Sequence, residues 1–220
     1  MHELTLLVPA KFESESLPIV LTELKKYNFK ILIVCDENDY ETINSTKQYN
    51  CNLLYQKSKG YGAALVEGIK NISTEYLCIF NADGSFDPKY LIEMLEECKK
   101  ENDFIFSSRY SKNGGSEDDT ILTYVGNKIF SFIGKFFFNL NVDDILYTFV
   151  LGKTNSFKKL NIQSKDFRFC VELPILAKRA KMKIENLGSF ERKRLRGEKK
   201  VNEFKDGFLI LIEMIKLFLK

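Results

Sequence analysis

The segment from Tyr76 to Gly84 contains residues whose types suit phosphate or metal chemistry. Its apolar run, Tyr76–Phe80, ends abruptly at Asn81-Ala82-Asp83-Gly84. A short apolar run is typical of a buried parallel strand, and ligands of open α/β sheets bind beyond the carboxyl ends of such strands. Asp83 is therefore expected near a nucleotide phosphate and its Mg²⁺ or Mn²⁺ ion, since these ions need few protein carboxylates. Taken alone, the same residues are more typical of a plain turn.

Other polar residues follow neighbouring predicted strands. Pro9 and Glu13 come after the first strand, and Asp36 comes directly after the second. Because the carboxyl ends of parallel strands lie along one edge of a sheet, we expect these residues and Asp83 to converge around a nucleoside diphosphate. Gly60 and Gly62 open a helix, where glycine lets backbone amides approach an anion closely.

The elements that must position these residues alternate between strand and helix through the first half of the chain. This alternation predicts an α/β fold with a mostly parallel central sheet flanked by helices. The predicted strands are Thr5–Val8, Lys30–Cys35, Asn52–Tyr55, Tyr76–Phe80 and Phe104–Ser107, and the predicted helices are Leu17–Tyr27, Tyr40–Tyr49, Gly60–Lys70 and Pro88–Lys100.

The second half follows a different pattern. A polar loop precedes a phenylalanine-rich apolar helix predicted over Tyr124–Leu140, and a second helix is predicted over Phe167–Lys181. A late strand is predicted over Ile184–Phe190 and a last apolar helix over Phe204–Lys220. For the phenylalanine-rich helix, we expect the apolar residues to form part of the protein core. For the last helix, core packing and a membrane interface are equally compatible with interspersed charges.

Composition narrows the class of protein. Hydrophobic residues make up 45% of the 220 residues and charged residues 29%, which is typical of a folded protein rather than a disordered one. Five dispersed cysteines without metal-ligand spacing predict reduced thiols in the cytoplasm. No charged leader or membrane-length apolar run is apparent, so we expect neither a signal peptide nor a spanning helix.

Positive charge is concentrated in one segment. The net charge is only +3, yet Glu191 to Lys200 contains six Lys or Arg residues. A solvated charged turn is one interpretation of this segment. Nucleic acid is not an expected partner, because neither interleaved aromatic residues nor a known binding module accompanies the charge.

In their order, these motifs resemble the inverting GT-A glycosyltransferases, and most of all the polyprenyl-phosphate group that includes dolichyl-phosphate mannosyltransferase. Matching positions in the first half are Pro9, Ala10 and Glu13 in Pro-Ala-Tyr-Asn-Glu, Asp36 in Asp-Asp-Gly-Ser, Lys59 and Gly60 in Asn-x-Gly-Lys-Gly-x-Ala, and Asn81, Ala82 and Asp83 in Asp-Ala-Asp. The resemblance implies that these residues bind the nucleotide and that Asp83 binds the metal, with Asn81 replacing one acid.

The second half continues the resemblance. Arg109 stands in a Ser-Arg-Tyr match, and Asp144 matches the acid of Asp-x-Thr-Ser-Gly-Phe-Arg, whose Gly and Arg are replaced here. Glu172 matches Phe-x-Phe-Glu-x-Glu-Leu, and a structural role and an acceptor-orienting role are equally compatible with it. Arg194, Gly197 and Lys200 fit Arg-x-x-Gly-x-Ser-Lys. The resemblance implies acceptor or phosphate binding by Arg109, Glu172, Arg194 and Lys200.

The resemblance implies one GT-A domain over 1–220, with a nucleotide-binding half at 1–110 and an acceptor half at 111–220. Its implied reaction is inverting transfer of a sugar from a nucleotide-sugar donor to a polyprenyl phosphate, with Mg²⁺ or Mn²⁺ at Asp83. Asp83, Arg109 and Asp144 are the implied catalytic residues. A lipid phosphate is already ionised, whereas a hydroxyl acceptor requires a base, for which Asp144 is the candidate.

Two alternatives stand beside this prediction. The first is a cytosolic glycosyltransferase that acts on a soluble acceptor or a glycan precursor. The second is a nucleotide-binding relative that lacks catalysis. A cytoplasmic location is expected in each case, and the lipid acceptor adds peripheral contact with the cytoplasmic face of a membrane.

Overall fold

The computed structural model describes residues 3–196 and 200–220, so the predicted turn at Gly197 lies outside the described residues. A seven-stranded sheet of order β3-β2-β1-β4-β7-β5-β8 forms its centre, and a ribbon of two short strands, β6 and β9, lies beside it. The strands are β1 (Leu4–Pro9), β2 (Lys30–Cys35), β3 (Asn52–Tyr55), β4 (Tyr76–Ile79), β5 (Phe104–Ser108), β6 (Gly115–Ser116), β7 (Val150–Lys153), β8 (Ile184–Gly188) and β9 (Phe190–Glu191).

Most neighbouring strands of the large sheet run parallel, which confirms the predicted fold class. Strand β1 pairs in parallel with β2 and β4, β2 with β3, and β5 with β8. Strand β7 is the exception, because it lies antiparallel between β4 and β5. The sequence analysis missed β7, whose four residues include Gly152. A Cβ at that glycine would lie 2.6 Å from the Asp103 carbonyl oxygen and 2.6 Å from Phe104 Cδ1, so the close pairing requires glycine.

Eight α-helices connect and cover the strands in the described part of the chain. They are α1 (Leu17–Leu24), which continues into a 3₁₀ turn (Lys25–Tyr27), α2 (Tyr40–Thr46), α3 (Tyr61–Asn71), α4 (Tyr90–Lys99), α5 (Ile121–Phe138), α6 (Thr154–Lys159), α7 (Phe169–Arg179) and α8 (Glu203–Leu219). Polar side chains set several helix starts: Asp39 accepts from the Thr42 amide at the start of α2, and Thr120 forms a capping box with Thr123 at the start of α5. Asn139, in the left-handed region at φ 51°, ends α5.

The core consists of two apolar layers, one on each face of the sheet. Leu7 and Val34 belong to the layer that includes residues of α3, α7 and α8. Leu6 and Val8 belong to the opposite layer, which includes residues of α1 and α4. This division follows from strand geometry, because successive side chains point to opposite faces.

Helix α5 corrects the expectation that its phenylalanines form plain core. Its buried residues are Asn127, Ser131 and Gly134, which share one face of the helix. Phe132 and Phe136 instead point outward, with 65% and 70% of their surface exposed. Over residues 3–196 and 200–220, no helix is long and apolar enough to cross a membrane.

Replacing Phe149, which lies just before β7, measures how much the aromatic core contributes to stability at the strand ends. Phe149 is fully buried, stacks on Phe86 with ring centroids 4.6 Å apart, and meets Phe80 edge-on at 5.6 Å. We predict that Phe149→Ala lowers the free energy of unfolding by about 3–5 kcal/mol, because it deletes a packed ring and leaves a cavity. The matched control Phe132→Ala, on the exposed face of α5, should change it by less than about 0.5 kcal/mol. Urea unfolding measures both, and equal effects would contradict this account of the core.

Candidate active site

A cleft of about 840 Å³ opens at the carboxyl-terminal edge of the parallel strands. Pro9 at the end of β1, Asn81 after β4 and Arg109 after β5 all line it. The predicted site residues that line the cleft are Pro9, Ala10, Glu13, Gly60, Asn81, Ala82, Asp83, Arg109, Arg194 and Lys200. The predicted residues Asp36, Lys59, Asp144 and Glu172 are not part of this lining.

Asp83 lies at the cleft floor with both carboxylate oxygens engaged. Oδ1 accepts hydrogen bonds from the Ser85 amide at 3.0 Å and the Ser85 hydroxyl at 2.7 Å. Oδ2 faces Arg194 Nη2 at 3.3 Å, and the Asp83 carbonyl accepts from the Leu195 amide. The structure therefore brings Asp83 and Arg194 of the basic segment together in the cleft.

The donor set around Asp83 suits a divalent cation that shares phosphate oxygens. In the described part of the chain, no group of three or more His, Cys, Asp or Glu residues is placed to hold a metal ion. Mg²⁺ at nucleotide sites commonly takes only one or two protein carboxylates, with phosphates and water completing its shell. The Asp83 carboxylate and the Asn81 amide oxygen meet this lower requirement.

Glu13 and Lys200 form a second ion pair at the cleft, which joins the first strand loop to the start of the last helix. Ser16 also donates to the Glu13 carboxylate at 2.6 Å, and the Glu13 amide donates to Thr42 Oγ1 at 2.9 Å. The carboxylate is buried, so its partners hold it in one place. The loop after β1 is thus fixed by contacts with α2 and with Lys200.

Asp36 does not line the cleft. The acid that fixes the neighbouring loop after β1 is Asp39. The backbone and side-chain amides of Asn38 donate to Asp36 Oδ1 and lower the pKa of that half-buried carboxyl. Asp39 is buried, and its Oδ2 accepts from the Phe12 amide at 2.6 Å. That contact holds Phe12 at φ 55° with 69% of its surface exposed along the cleft. An acid four residues beyond the strand and just before a helix was the available sequence signal for Asp39.

The glycines at the start of α3 are required for close packing against the loop that contains Ser164 and Lys165. A Cβ at Gly60, whose φ is 117°, would lie 2.1 Å from the Lys165 carbonyl oxygen, and one at Gly62 would lie 2.5 Å from the Ser164 carbonyl oxygen. The Lys165 carbonyl also accepts from the Ala63 amide at the helix start. Lys59, next to this packed turn, is exposed.

Glu172 is structural in this arrangement. Its two carboxylate oxygens accept from the backbone amides of Gln163 at 3.0 Å and Ser164 at 2.8 Å. The side chain is buried beneath the loop that packs on Gly60 and Gly62. Of the two roles open for this residue, the geometry supports loop positioning.

Arg109, which lines the cleft and is largely buried, pairs with the fully buried Asp144 behind it. Arg109 donates from Nε to Asp144 Oδ2 at 2.8 Å and from Nη2 to Oδ1 at 2.9 Å. Asn127 of α5 also donates to Asp144, which has no exposed surface. Burial alone would lower the pKa of Arg109, but hydrogen bonds and charge from Asp144, with the charge of Glu191, raise it overall. Asp144 therefore has no geometric support as a general base, and the charge of Arg109 is already compensated.

Glu191 is a cleft residue that the sequence analysis placed only within the basic segment. Strand β9 directs it to the same wall as Arg109, whose Nη1 lies 3.2 Å from Glu191 Oε2. Desolvation by burial raises the pKa of the Glu191 carboxyl, although Arg109 and Ser116 oppose the shift. The signal available in the sequence was a single acid directly after the predicted late strand.

The basic segment is compensated by acids along its described length. Arg192 donates from both terminal nitrogens to Glu23 at 2.9 and 3.0 Å, while Arg194 and Lys200 pair with Asp83 and Glu13. The interpretation as a solvated charged turn is therefore wrong for these residues. Arg194 and Lys200 pair with acids that line the cleft, whereas Arg192 pairs with Glu23 of α1 outside the cleft lining.

A family model described as Glycosyl transferase family 2 matches residues 5–160 of this chain. Glycosyltransferases described as uncharacterized, from Mycobacterium tuberculosis and Mycobacterium bovis, are 27% identical over 105 residues, or 48% of this chain and 48% of each relative. The matched region thus spans about half the length of these curated relatives.

Solved structures share the fold at low identity. Glucosyl-3-phosphoglycerate synthase from M. tuberculosis in complex with UDP superposes with a TM-score of 0.76 and 9% identity, covering 99% of this chain and 80% of that one. The same synthase with Mn²⁺, UDP-glucose and phosphoglyceric acid gives a TM-score of 0.75 and 9% identity, with the same coverage. The resemblance to GT-A glycosyltransferases is confirmed at the level of family and fold, and the polyprenyl-phosphate subgroup stays a prediction.

The Arg109–Asp144 pair allows a test of whether Asp144 has a structural or a catalytic role. We predict that Asp144→Asn lowers the free energy of unfolding by about 3–5 kcal/mol, because it leaves the buried Arg109 charge without its main partner. Chemical denaturation measures this loss, with Asp143→Asn on the exposed neighbouring residue as the control. Normal stability combined with loss of catalysis would instead restore Asp144 as a base.

Proposed function

Because this chain belongs to glycosyl transferase family 2, we propose that it transfers a sugar from a nucleoside diphosphate sugar to an acceptor that carries a phosphate group. The observation that carries this proposal is the Asp83–Arg194 pair at the cleft floor, 3.3 Å apart. One member suits a divalent cation and the other suits a phosphate, so both needs of a diphosphate leaving group are met side by side.

The donor is proposed to lie along the loops after β1 and β4. The exposed ring of Phe12 offers an apolar face for the nucleobase, and Asp83 with Asn81 would hold the divalent cation. That cation, when bound, neutralises charge on the leaving diphosphate. Arg194 is positioned to take up the same charge through hydrogen bonds from its guanidinium group.

A soluble acceptor that bears a phosphate is supported best by the comparisons. The related synthase has been solved with phosphoglyceric acid and UDP-glucose. In this chain, Lys200 and Lys205 both line the cleft and provide cations for such a phosphate. This proposal corresponds to the soluble-acceptor alternative of the sequence analysis.

A polyprenyl phosphate is the second candidate, and a specific observation favours it. Leu122 and Phe130 of α5 line the cleft together with Phe204 and Ile210 of α8. The outer faces of these two helices carry further exposed aromatic residues, including Phe132, Phe136 and Phe208. An apolar chain attached to a phosphate would find apolar surface continuous with the cleft, and Lys residues of the same helices would face lipid headgroups.

Donor binding and transfer test the proposal directly. Calorimetry should show binding of UDP or GDP that strengthens with Mg²⁺ or Mn²⁺, and Asn81→Asp should strengthen the metal dependence by adding a carboxylate. Labelled nucleotide sugars are then supplied with phosphoglycerate, with a short polyprenyl phosphate, or without acceptor. Binding without transfer to any acceptor would support a non-catalytic relative, and absence of nucleotide binding would overturn the proposal.

Arg194 gives a sharper prediction. Removing a hydrogen bond to a charged group costs about 1.5–3 kcal/mol, so Arg194→Ala should lower transfer roughly 10- to 100-fold. The melting temperature should change little, because the Ser85 contacts with Asp83 are retained. Lys193→Ala is the matched control, since Lys193 is exposed and does not line the cleft. Full activity with a large fall in melting temperature would show that Arg194 is structural.

A further inference from the structure

The cleft wall opposite the proposed donor loops carries carboxylates that the reaction so far does not use. Asp118, Asp119 and Glu191 all line the cleft near the β6–β9 ribbon. Asp119 is occupied, because it accepts from the hydroxyls of Tyr110 and Thr123. Glu191 differs from it in the way that its two oxygens are used.

Glu191 is held by one oxygen. Oε2 accepts from Ser116 Oγ at 2.5 Å and from Arg109 Nη1 at 3.2 Å. Within the described residues, no hydrogen bond reaches Oε1. The carboxylate is therefore oriented by fixed neighbours while one oxygen is available to a ligand, in contrast to Asp144, whose two oxygens are both bound to Arg109.

A second, independent feature beside Glu191 points to a ligand. Tyr147 lines the cleft and is 96% buried, since only 4% of its surface is exposed, and its hydroxyl has no hydrogen-bond partner among residues 3–196 and 200–220. Burial and the charge of nearby Glu191 raise the pKa of that hydroxyl, although the neighbouring Ser189 hydroxyl and the charge of Arg109 oppose the shift, so the hydroxyl stays protonated and can act as a donor. Such a buried hydroxyl gains its missing hydrogen bond when a ligand oxygen accepts one from it.

The backbone places Glu191 next to the proposed diphosphate site. The chain that leaves β9 pairs with the loop after β4, through the Arg192 amide to the Ser85 carbonyl at 2.9 Å and the Leu195 amide to the Asp83 carbonyl at 2.9 Å. Glu191 is thus one residue away from a segment that is hydrogen bonded to the loop of Asp83. An acceptor on the Glu191 wall and a donor at Asp83 would face each other across the cleft.

We infer that Glu191 is the general base that takes a proton from an acceptor hydroxyl positioned by Tyr147. The acceptor oxygen forms a bond to the anomeric carbon while its proton passes to Glu191 Oε1. The bond from that carbon to the diphosphate oxygen breaks, and its electron pair leaves with the nucleoside diphosphate. This inference rests on the proposed function and deepens it, because an ionised lipid phosphate would need no base whereas a hydroxyl does.

The surroundings of Glu191 suit a base that works near neutral pH. Arg109 faces it from the end of β5, Asp118 from the segment after β6, and Tyr147 from the segment before β7. Asp119 and Asp144 share Arg109 with it. Burial raises the pKa of Glu191, and a carboxylate with a raised pKa accepts a proton more readily than an exposed one.

The test compares Glu191→Gln with Glu117→Gln, because Glu117 is an exposed residue that directly follows β6 and does not line the cleft. Removing a general base typically costs about 10²- to 10⁴-fold, so we expect kcat of Glu191→Gln to fall by that factor with the donor KM and nucleotide affinity unchanged. The wild-type rate should rise with pH through the ionisation of Glu191, and this limb should be absent in Glu191→Gln. Glu117→Gln should match the wild type.

Each other result has one meaning. If the wild type transfers sugar and Glu191→Gln is equally active, the role of Glu191 is overturned. The same holds if the wild type transfers sugar only to polyprenyl phosphate. In both cases the proposed function still stands. A wild-type chain that binds nucleotide but transfers to no acceptor overturns both. If Glu191→Gln does not fold, Glu191→Asp takes its place, and it should keep the pH-dependent limb at reduced kcat. Loss of that limb in a folded Glu191→Asp protein would overturn the inference.

Discussion

The arrangement of the proposed acceptor side of the cleft depends on the buried pair between Arg109 and Asp144. This pair joins the end of β5 to the loop before β7, and Asn127 extends it to α5. Its geometry leaves Arg109 Nη1 directed at Glu191, which links β9 to the same network. Carboxylates on two sides orient the guanidinium group. The network centred on Arg109 therefore fixes the relative positions of four segments: the end of β5, the loop before β7, α5 and β9.

The donor side is organised by looser pairs of a different kind. Arg194 and Lys200 pair with Asp83 and Glu13 in partly exposed positions, where an ion pair contributes little to stability. A phosphate group offers such cations more acceptor oxygens than a single carboxylate does. The two sides thus differ in burial. The network around Arg109 fixes the structure, while the pairs of Arg194 and Lys200 lie at the cleft, where the proposed phosphate ligand would replace their partners.

The parts of the fold and site that were predictable from sequence are those where a local pattern coincides with a topological rule. Asp83 follows a continuous apolar run, and parallel strands end at one edge, so its place in a cleft followed directly. Strand β7 lacked such a signal, because four residues with a central glycine are too short to show a period. Asp36 and Asp39 lie in one polar loop, and only the capping geometry distinguishes the half-buried Asp36 from the buried Asp39. The partners of Asp144 and Glu172 are set by tertiary contacts far away in sequence, which no local pattern encodes.

Strand β7 runs against its neighbours, and this reversal decides which chain segments can reach the cleft. At the cleft edge of the sheet, each parallel strand ends, so the loop found there follows the strand. Strand β7 begins at that edge instead, so the loop found there precedes it. Residues 139–149 therefore arrive at the cleft from α5 before any pairing of β7 with β4 and β5 begins. Length changes in this incoming loop would alter the acceptor wall without shifting the register of β1, β2 and β4. The reversed strand thus separates the loop that forms the proposed acceptor wall from the strand ends at which the proposed nucleotide site lies.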